Sequence, residues 1–309
     1  MTKLLKLDAK NLQLISELEK NSRMPLSKLA NALKTSKEVV HYRLKKLISD
    51  GFIKRFFLVT DYFALGYQNY RLIVNLHNLK YNIRKGIIEE LRNMGNIDLN
   101  VYLLSNWDFE INIWVKNFDE FFEFYNNFIE KYADYITDKN IYIVTKIHFF
   151  SHSYLHKNRR TLVLGEVKNK KMDEIDEKII DILERNPREE IIKVAEKMKM
   201  STSTINYRIK QLMIKKLIKG IIPILDKNML NYNSFRIEVI LNDPSKKKDV
   251  VDFLATQHNV VKISELIGRK DLDFEVDFKT TEELDYFLEN LRLKVPQIKD
   301  FEVINTVND

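Results

Sequence analysis

The fold is decided by two stretches of sequence, SKEVVHYRLKKLISDGFIKRF at 36–56 and STSTINYRIKQLMIKKLIKGI at 201–221. A shift of 165 residues aligns 7–76 with 172–241 without a gap, and more than a quarter of the aligned positions are identical. This spacing is too long for a solenoid, whose repeats have about 20–50 residues. Each copy is therefore predicted to be a complete folding unit, and the chain a tandem duplication.

Each copy begins with three short helical patterns. The second pattern has apolar residues at positions i, i+3, i+4 and i+7, as in Leu26, Leu29, Ala30 and Leu33 and in Ile191, Val194, Ala195 and Met198. Ser36 or Ser201 follows as the expected N-cap of a third helix. The buried stripe of that helix is predicted at Val40, Leu44 and Leu47 and at Ile205, Ile209 and Leu212. A helix, a short turn and a second helix form a helix-turn-helix.

A β-rich string follows the third helix in both copies, FIKRFFLV and LIKGIIPIL, and it predicts a wing. Gly51 is expected to end the third helix of the first copy. Lys216 stands at that position in the second copy, so the third helix of that copy is predicted to end differently.

The rest of each copy predicts the order strand, helix, strand, strand, helix, strand, over 68–150 and 233–307. This order is that of a ferredoxin-like domain with a four-stranded sheet. The predicted fold class is α+β, with helix-turn-helix domains at 1–60 and 172–225 and ferredoxin-like domains at 61–150 and 226–309. A basic connector, 151–171, lies between the copies. Arg159 and Arg160 are expected to be solvated there, with contact to the DNA backbone as the alternative. The two helices of each domain cover only one face of its sheet, so the other face must pack against a further partner.

Positive charge is concentrated in particular segments of the chain. The net charge of +7 divides into +8 for 1–60, −3 for 61–150, +5 for 151–171, +2 for 172–225 and −5 for 226–309. A nucleic-acid-binding part carried on a non-binding body has this kind of distribution.

The sequence lacks the residues that several other functions require. The chain has no cysteine, which excludes disulfides, thiolate nucleophiles and cysteine-ligated metals. Its seven glycines form no GxGxxG motif or P-loop. No apolar run approaches the roughly 18 residues that span a bilayer, and the first ten residues lack a secretory apolar region. We expect a soluble, cytoplasmic protein without a membrane partner.

The two third-helix strings, each followed by the ferredoxin-like order, resemble the Lrp/AsnC family of prokaryotic transcription regulators. The shared pattern is Ser, an apolar residue four positions on, Arg seven on, Leu eleven on and Ile seventeen on. It is met at Ser36, Val40, Arg43, Leu47 and Ile53 and at Ser201, Ile205, Arg208, Leu212 and Ile218. The resemblance covers nearly the whole chain. It implies two winged helix-turn-helix domains, two RAM-type domains of the dimeric α/β barrel type, and double-stranded DNA as partner.

The major groove of B-DNA admits one helix, and residues near its N-terminus read the bases. The candidates are Lys37, Glu38, His41 and Lys45 in the first copy and Thr202, Ser203, Asn206 and Lys210 in the second. Phosphate contacts are predicted at Ser36, Arg43, Lys46, Lys54 and Arg55 and at Ser201, Arg208, Lys215, Lys216 and Lys219. Because the two helices differ at almost every outward position, we predict an asymmetric bipartite site. A pseudo-dimer within one chain and pairing between chains both remain open.

In the family, the loop between the second and third ferredoxin-like strands often binds an amino acid. The resemblance places this loop at LLSNWDFEI, 103–111, and LIGRKDLDFEV, 266–276. Its candidate effector residues are Ser105, Asn106 and Asp108 in the first copy and Gly268, Arg269 and Asp271 in the second. An alternative is that the two aspartates only shape a turn.

The sequence leaves other functions open beside that of a sequence-specific regulator. His148, His152 and His156 recur every four residues, but they fall in a predicted strand and connector, where this spacing separates them by about 13 Å. We expect no metal and no cofactor. An architectural DNA-binding protein of low sequence specificity is a second possibility.

The same two-domain plan also resembles that of siroheme decarboxylases, so an enzyme is a third possibility. The resemblance implies a histidine and a basic cluster before the third strand. Asn100, Tyr102, Asn106 and Trp107 do not supply it in the first copy. The second copy offers only Arg269 and Lys270. The sequence therefore favours a protein that is not an enzyme.

Overall fold

The computed structural model describes residues 4–77, 79–101, 107–166 and 170–306, and the chain divides into two compact units. The first unit consists of 1–65 and 148–233, and the second of 66–147 and 234–309. Each unit thus combines corresponding parts of the two copies. The helix-turn-helix parts lie in the first unit and the ferredoxin-like parts in the second.

Helices and strands follow the same order in both copies. The first copy contains α1 (Ala9–Lys20), α2 (Leu26–Ala32), α3 (Lys37–Ser49), β1 (Ile53–Thr60), β2 (Gln68–Leu76), α4 (Tyr81–Asn93), β3 (Ile97–Val101), β4 (Phe109–Val115), α5 (Phe118–Tyr132) and β5 (Ile136–Phe150). Next come α6 (Ser153–His156) and β6 (Thr161–Leu164). The second copy contains α7 (Glu174–Arg185), α8 (Ile191–Met198), α9 (Thr202–Ile214), β7 (Ile218–Leu225), β8 (Asn233–Leu241), α10 (Lys247–Thr256), β9 (Val260–Ile267), β10 (Leu272–Phe278), α11 (Thr281–Lys294) and β11 (Ile298–Thr306).

The first and third helices of each copy begin at side-chain caps. Asp8 and Asp173 cap α1 and α7, while Ser36 and Ser201 cap α3 and α9. In each case the side-chain oxygen accepts a hydrogen bond from the backbone N–H three residues on. These bonds satisfy N–H groups that have no partner inside the helix.

The turn inside each helix-turn-helix depends on a lysine. Lys34 and Lys199 adopt the left-handed conformation, with φ of 49° and 52°. The N–H of the following residue then donates to the carbonyl of Ala30 or Ala195, at 3.0 Å in both copies. These bonds satisfy carbonyls at the end of the second helix and turn the chain toward the third.

The third helix ends in the same way in both copies. Gly51 has a φ of 82° and Lys216 a φ of 59°, and each donates its N–H at 3.0 Å to the carbonyl three residues earlier. The prediction that the third helix of the second copy ends differently from that of the first is therefore wrong. A lysine can adopt this conformation, although its side chain brings a steric cost that glycine avoids.

The strand after each third helix pairs with its counterpart from the other copy. β1 and β7 are antiparallel, and their register runs from Ile53 opposite Leu225 to Thr60 opposite Ile218. Because Ile53 corresponds to Ile218 and Thr60 to Leu225 in the duplication, the pairing is symmetric. The expected wing is thus a ribbon shared by the two copies.

The ribbon also connects the two helical cores. The core around Leu29 and Val40 includes Leu225 of the second copy. The core around Ile205 includes Leu58 of the first copy. Each helix-turn-helix therefore buries an apolar side chain supplied by the other, and burial of apolar surface is the main favourable term in folding.

The ferredoxin-like parts supply eight strands of one nine-stranded sheet, and the connector supplies the ninth. Its order is β11-β8-β10-β9-β5-β2-β4-β3, and β6 pairs with β5. The two predicted four-stranded sheets are joined through β9 and β5. In the first copy, Leu72 and Val74 of β2 pack with Leu91 of α4 and with Phe121 and Phe128 of α5. This leaves the opposite face of β2 for another partner.

That opposite face packs against the other copy through buried charged groups. Arg71 of β2 contacts Asp273 of β10, and Arg236 of β8 contacts Glu110 of β4. All four side chains are at most 2% exposed. The bare sheet face of each copy is therefore covered by the other copy of the same chain.

The connector between the copies has secondary structure. It contains α6 and β6, and β6 pairs with β5. Arg159 lies over the ring of Phe150 at 4.2 Å, and Arg160 donates to the carbonyls of Glu19, at 2.7 Å, and Lys20. The expectation of solvated arginines is wrong because both are partly buried against protein groups. Every helix in the described ranges is too short or too polar to span a bilayer.

Candidate nucleic-acid interface

The helices α3 and α9 each present one polar face to solvent. Val40, Leu44 and Leu47 of α3 are buried, as are Ile205, Ile209 and Leu212 of α9. The predicted base-reading residues are all exposed, namely Lys37, Glu38, His41 and Lys45 on α3 and Thr202, Ser203, Asn206 and Lys210 on α9. The structure thus brings each predicted set together on one accessible helix face.

The start of each exposed face is held by its serine cap. Ser36 accepts from the Val39 N–H at 3.3 Å, and Ser201 accepts from the Thr204 N–H at 3.1 Å. The Glu38 carboxylate lies in the first turn of α3, where its own backbone N–H and the Ser36 hydroxyl lower its pKa. Glu38 is therefore ionised at neutral pH and can accept a hydrogen bond from a base.

Two of the predicted phosphate contacts have carboxylate partners inside their own domain. Arg43 donates to Asp8 at 2.7 Å, and Arg208 donates at 2.9 Å to Asp173 and at 2.8 Å to Asp176. Asp8 and Asp173 are the N-caps of α1 and α7, so each arginine connects the third helix to the start of the first. Both arginine side chains are only 23% exposed. Their observed contacts hold the helices in place.

Lys219 differs from its counterpart Lys54. The Lys219 side chain is 8% exposed, and its ammonium lies 3.4 Å from the Asp61 carboxylate and 3.7 Å from that of Glu166. Burial raises the pKa of Asp61, while the Gly165 N–H and Lys219 favour its ionised form. Lys219 is therefore directed into the protein, and the expectation that it contacts phosphate is wrong for this position. Lys54 is exposed.

The remaining predicted phosphate contacts lie on the surface. Exposed residues are Lys46 near the end of α3, Arg55 on β1, and Lys215 and Lys216 at the end of α9. Lys46 is 4.0 Å from Asp50, and more than half of its side chain is exposed. Exposed cations at these positions are available to neutralise phosphates.

One pair of surface residues is absent from the predicted interface. Tyr42 and Tyr207 lie at corresponding positions of α3 and α9, and each is 64% exposed. Their signal in the sequence was identity between two helix faces that differ at most of their exposed positions.

The candidate effector aspartates are held by backbone groups. Asp108 accepts from the Leu76 N–H, and Asp271 accepts from the Leu241 N–H, both at 2.8 Å. Asp108 also accepts from Arg84 at 2.5 Å. In both copies the aspartate thus joins the start of the third ferredoxin-like strand to the end of the first.

The other candidate effector residues differ in their surroundings. Gly268 has a φ of 152°, and a side chain there would meet the ring of Tyr142 at 2.7 Å. Arg269 is exposed beside it. Ser105 and Asn106 lie outside the described residues.

Two of the three recurring histidines contact one carboxylate. His152 Nδ1 and His156 Nε2 each lie 2.5 Å from an oxygen of Glu19, which is 4% exposed. Both imidazoles therefore share one buried carboxylate. His148 stacks instead on Phe150. In the described ranges, no group of three or more histidine and acidic residues could hold a metal.

Comparisons with known proteins agree with this geometry. Residues 7–54 match the family profile of a winged helix-turn-helix DNA-binding domain, and residues 172–213 match that of the AsnC-type helix-turn-helix domain. The HTH-type transcriptional regulator FL11 of Pyrococcus horikoshii is 30% identical over 118 residues, which cover 38% of this chain and 78% of that protein. FL11 of Pyrococcus furiosus is 29% identical over the same length, with the same shares of the two chains.

A solved structure matches almost the whole chain. The siroheme decarboxylase NirDL has a TM-score of 0.64 and 13% sequence identity, and the match covers 97% of this chain and 91% of that one. At this identity the likeness concerns the fold alone. The helix-turn-helix matches and the relatives decide the family: the chain belongs to the Lrp/AsnC family of DNA-binding helix-turn-helix transcription regulators.

Proposed function

We propose that the protein is a sequence-specific regulator that binds an asymmetric bipartite DNA site with both recognition helices of a single chain. The observation that carries this proposal is the β1–β7 ribbon, which joins α3 and α9 within one compact unit. A chain built in this way presents two reading helices without needing a second protomer. Each helix then contacts its own half-site.

The asymmetry follows from the exposed side chains. Lys37, Glu38 and His41 on α3 stand where α9 has Thr202, Ser203 and Asn206. A lysine pairs with guanine, a glutamate accepts from cytosine and an asparagine pairs with adenine. Two helices with these different groups prefer different bases, so a perfect palindrome fits the protein less well than an asymmetric site.

Cations around the two helices supply the affinity that does not depend on sequence. We assign phosphate contacts to Lys46, Lys54 and Arg55 beside α3 and to Lys215 and Lys216 beside α9. Residues 1–60 carry a net charge of +8, whereas 61–150 and 226–309 are acidic. This distribution attracts the duplex to the helix-turn-helix parts.

A small effector is a further part of the proposal. The second-copy loop keeps Gly268 and Asp271, with the exposed Arg269 between them as a possible partner for a carboxylate. Asp271 is already engaged with backbone, and Tyr142 lies close over Gly268. An amino acid bound here must therefore use Arg269. Comparison of DNA binding with and without an amino-acid mixture tests this assignment.

We propose a regulatory role without catalysis or cofactor. The amide of Asn100 donates to Glu110 at 3.1 Å, and Lys270 pairs with Glu302 at 3.2 Å, so both serve the protein's own contacts. Trp107 precedes β4, and Tyr102 and Asn106 lie outside the described residues. A porphyrin absorbance titration tests this part, because a shifted spectrum with stoichiometric binding contradicts it.

The experiment that tests the main proposal is selection of bound duplexes from a random pool at two salt concentrations. Recovery of a two-part motif with unlike halves supports it. Tight binding without any motif indicates an architectural protein, and a palindromic motif indicates that only one helix type reads DNA. Sedimentation of the complex with one selected duplex distinguishes one bound chain from a homo-oligomer.

A further inference from the structure

The two recognition helices have diverged at most of their surface positions. Nine positions are exposed in both helices and their C-terminal ends, namely 37, 38, 41, 42, 45, 48, 49, 50 and 51, with 165 added for the second copy. Only two of the nine carry the same residue in both copies. These are Tyr42 with Tyr207, and Lys45 with Lys210.

The shared positions form one surface on each helix. Tyr42 and Lys45 are three residues apart, as are Tyr207 and Lys210, and residues at this spacing are neighbours on a helix. Both tyrosines are 64% exposed. In the part of the chain that the structure describes, neither tyrosine hydroxyl has a hydrogen-bond partner and neither lysine an ion pair.

Each shared pair lies beside the same kind of arginine–aspartate contact. The residue after each tyrosine is the arginine that binds an N-cap aspartate, Arg43 to Asp8 and Arg208 to Asp173. The direction in which the tyrosine leaves the helix is therefore fixed in the same way in both copies. A group that is kept in both copies and held alike serves a feature that both half-sites have in common.

The common feature of two unlike half-sites is the sugar–phosphate backbone, because base edges carry the sequence and phosphates do not. A tyrosine hydroxyl donates to a phosphate oxygen while its ring packs on the apolar part of the sugar. A lysine adds a point charge to the same or the next phosphate. We infer that Tyr42 with Lys45, and Tyr207 with Lys210, form matching backbone-contact pairs that set each recognition helix on its half-site.

This inference rests on the proposed function and goes further in two respects. It adds the two tyrosines to the DNA surface, and it moves Lys45 and Lys210 from base reading to backbone contact. Specificity then lies in the divergent positions alone. The duplication has thus kept the contacts that position the helices and changed those that read bases.

The test compares Tyr42→Phe with Tyr207→Phe, singly and together, on a selected duplex and on a scrambled duplex of equal composition. Each substitution keeps the ring and removes the hydroxyl. We expect each to raise Kd by about two- to tenfold on both duplexes, the range for loss of one hydrogen bond. Lys45→Ala and Lys210→Ala should each lower the slope of log K against log salt by about 0.9.

Tyr286→Phe is the matched control, because Tyr286 is 71% exposed on α11 of a ferredoxin-like domain. Its Kd should equal that of the unmodified chain. Unchanged binding by the Tyr42 and Tyr207 variants overturns the inference, as does a loss confined to the selected duplex. Failure of the unmodified chain to bind either duplex overturns the proposed function itself, so the two failures are distinguishable.

Discussion

Arg71 of the first copy and Asp273 of the second form an ion pair in which neither side chain is more than 2% exposed. Arg236 and Glu110 repeat this pair across the same sheet faces. The two arginines stabilise the ionised form of Glu110. Burial alone raises the pKa of this carboxyl, but Arg236 and Arg71 hold that pKa well below its usual range. The two copies are therefore connected by buried ion pairs that form only when their sheets face each other.

Removal of one member of this cluster should lower the stability of the fold strongly. Arg71→Leu leaves the carboxylates of Asp273 and Glu110 with one arginine in a buried site, and loss of one partner from a buried pair costs about 3–5 kcal/mol. Urea unfolding gives the change in the free energy of unfolding. Lys85→Ala, which removes a pair whose side chains are both 63% exposed, serves as the control and should change little. Equal stability of the two variants would contradict this role of Arg71.

The buried Glu19 predicts a specific dependence on pH. Burial alone raises its pKa, but His152 and His156 outweigh burial and lower the pKa to about 2 from an ordinary 4.5. Because the folded-state value is depressed, the stability that Glu19 contributes is present above pH 4.5 and is lost as the pH falls toward 2.

The variant Glu19→Gln should therefore be less stable than the unmodified chain at pH 6, by about 2–3 kcal/mol. The difference should shrink steadily between pH 4.5 and 2. Thermal or urea unfolding across this range measures it, with Glu130→Gln on the exposed side of α5 as the control. A difference that stays constant with pH would show that Glu19 acts only through packing.

The left-handed Lys216 predicts a stabilising substitution. Lys216→Gly removes the steric cost of a side chain at a φ of 59° and should raise the free energy of unfolding by about 1 kcal/mol. Lys215→Gly is the matched control, because Lys215 has an ordinary φ of −68°. That substitution should destabilise the chain slightly through added backbone freedom. The opposite order of stabilities would refute the account of this helix end.

Two lysines near the second ribbon strand should respond differently to replacement by alanine. Lys215 is exposed, so Lys215→Ala should reduce the salt slope of DNA binding by about 0.9 without changing stability. Lys219 is buried against Asp61, so Lys219→Ala should lower stability by about 2–4 kcal/mol and leave the salt slope unchanged. Filter binding at several salt concentrations and urea unfolding separate the two effects. A reduced salt slope for the Lys219 variant would restore it to the DNA surface.

Local pattern was sufficient for much of the fold. The apolar spacing around Leu29 and Val40 and the caps at Ser36 and Ser201 predicted the helix-turn-helix in both copies, because these interactions lie within a few residues. The strand and helix order of the ferredoxin-like parts followed from the same kind of local signal. The exposed set on α3 and α9 followed from helix periodicity.

What the sequence left open depends on contacts between distant residues. Ile53 lies opposite Leu225 because the ribbon pairs one strand from each copy, and a strand signal does not say which strand is its partner. The partner of Arg43 is Asp8, 35 residues away, so a basic residue on a recognition helix was assigned to phosphate. Lys54 and Lys219 both follow an isoleucine on the strand after the third helix, and local sequence does not show that Lys219 is buried beside Asp61.

The most direct test makes the two recognition helices alike. The triple variant Lys37→Thr, Glu38→Ser, His41→Asn gives α3 the proposed base-reading residues of α9, since Tyr42 and Lys45 are already shared. In selection from a random duplex pool, the unmodified chain should recover a motif with two unlike halves, and the variant a motif with two like halves in inverted orientation. Recovery of the same motif by both proteins would contradict the claim that α3 and α9 of one chain read separate half-sites.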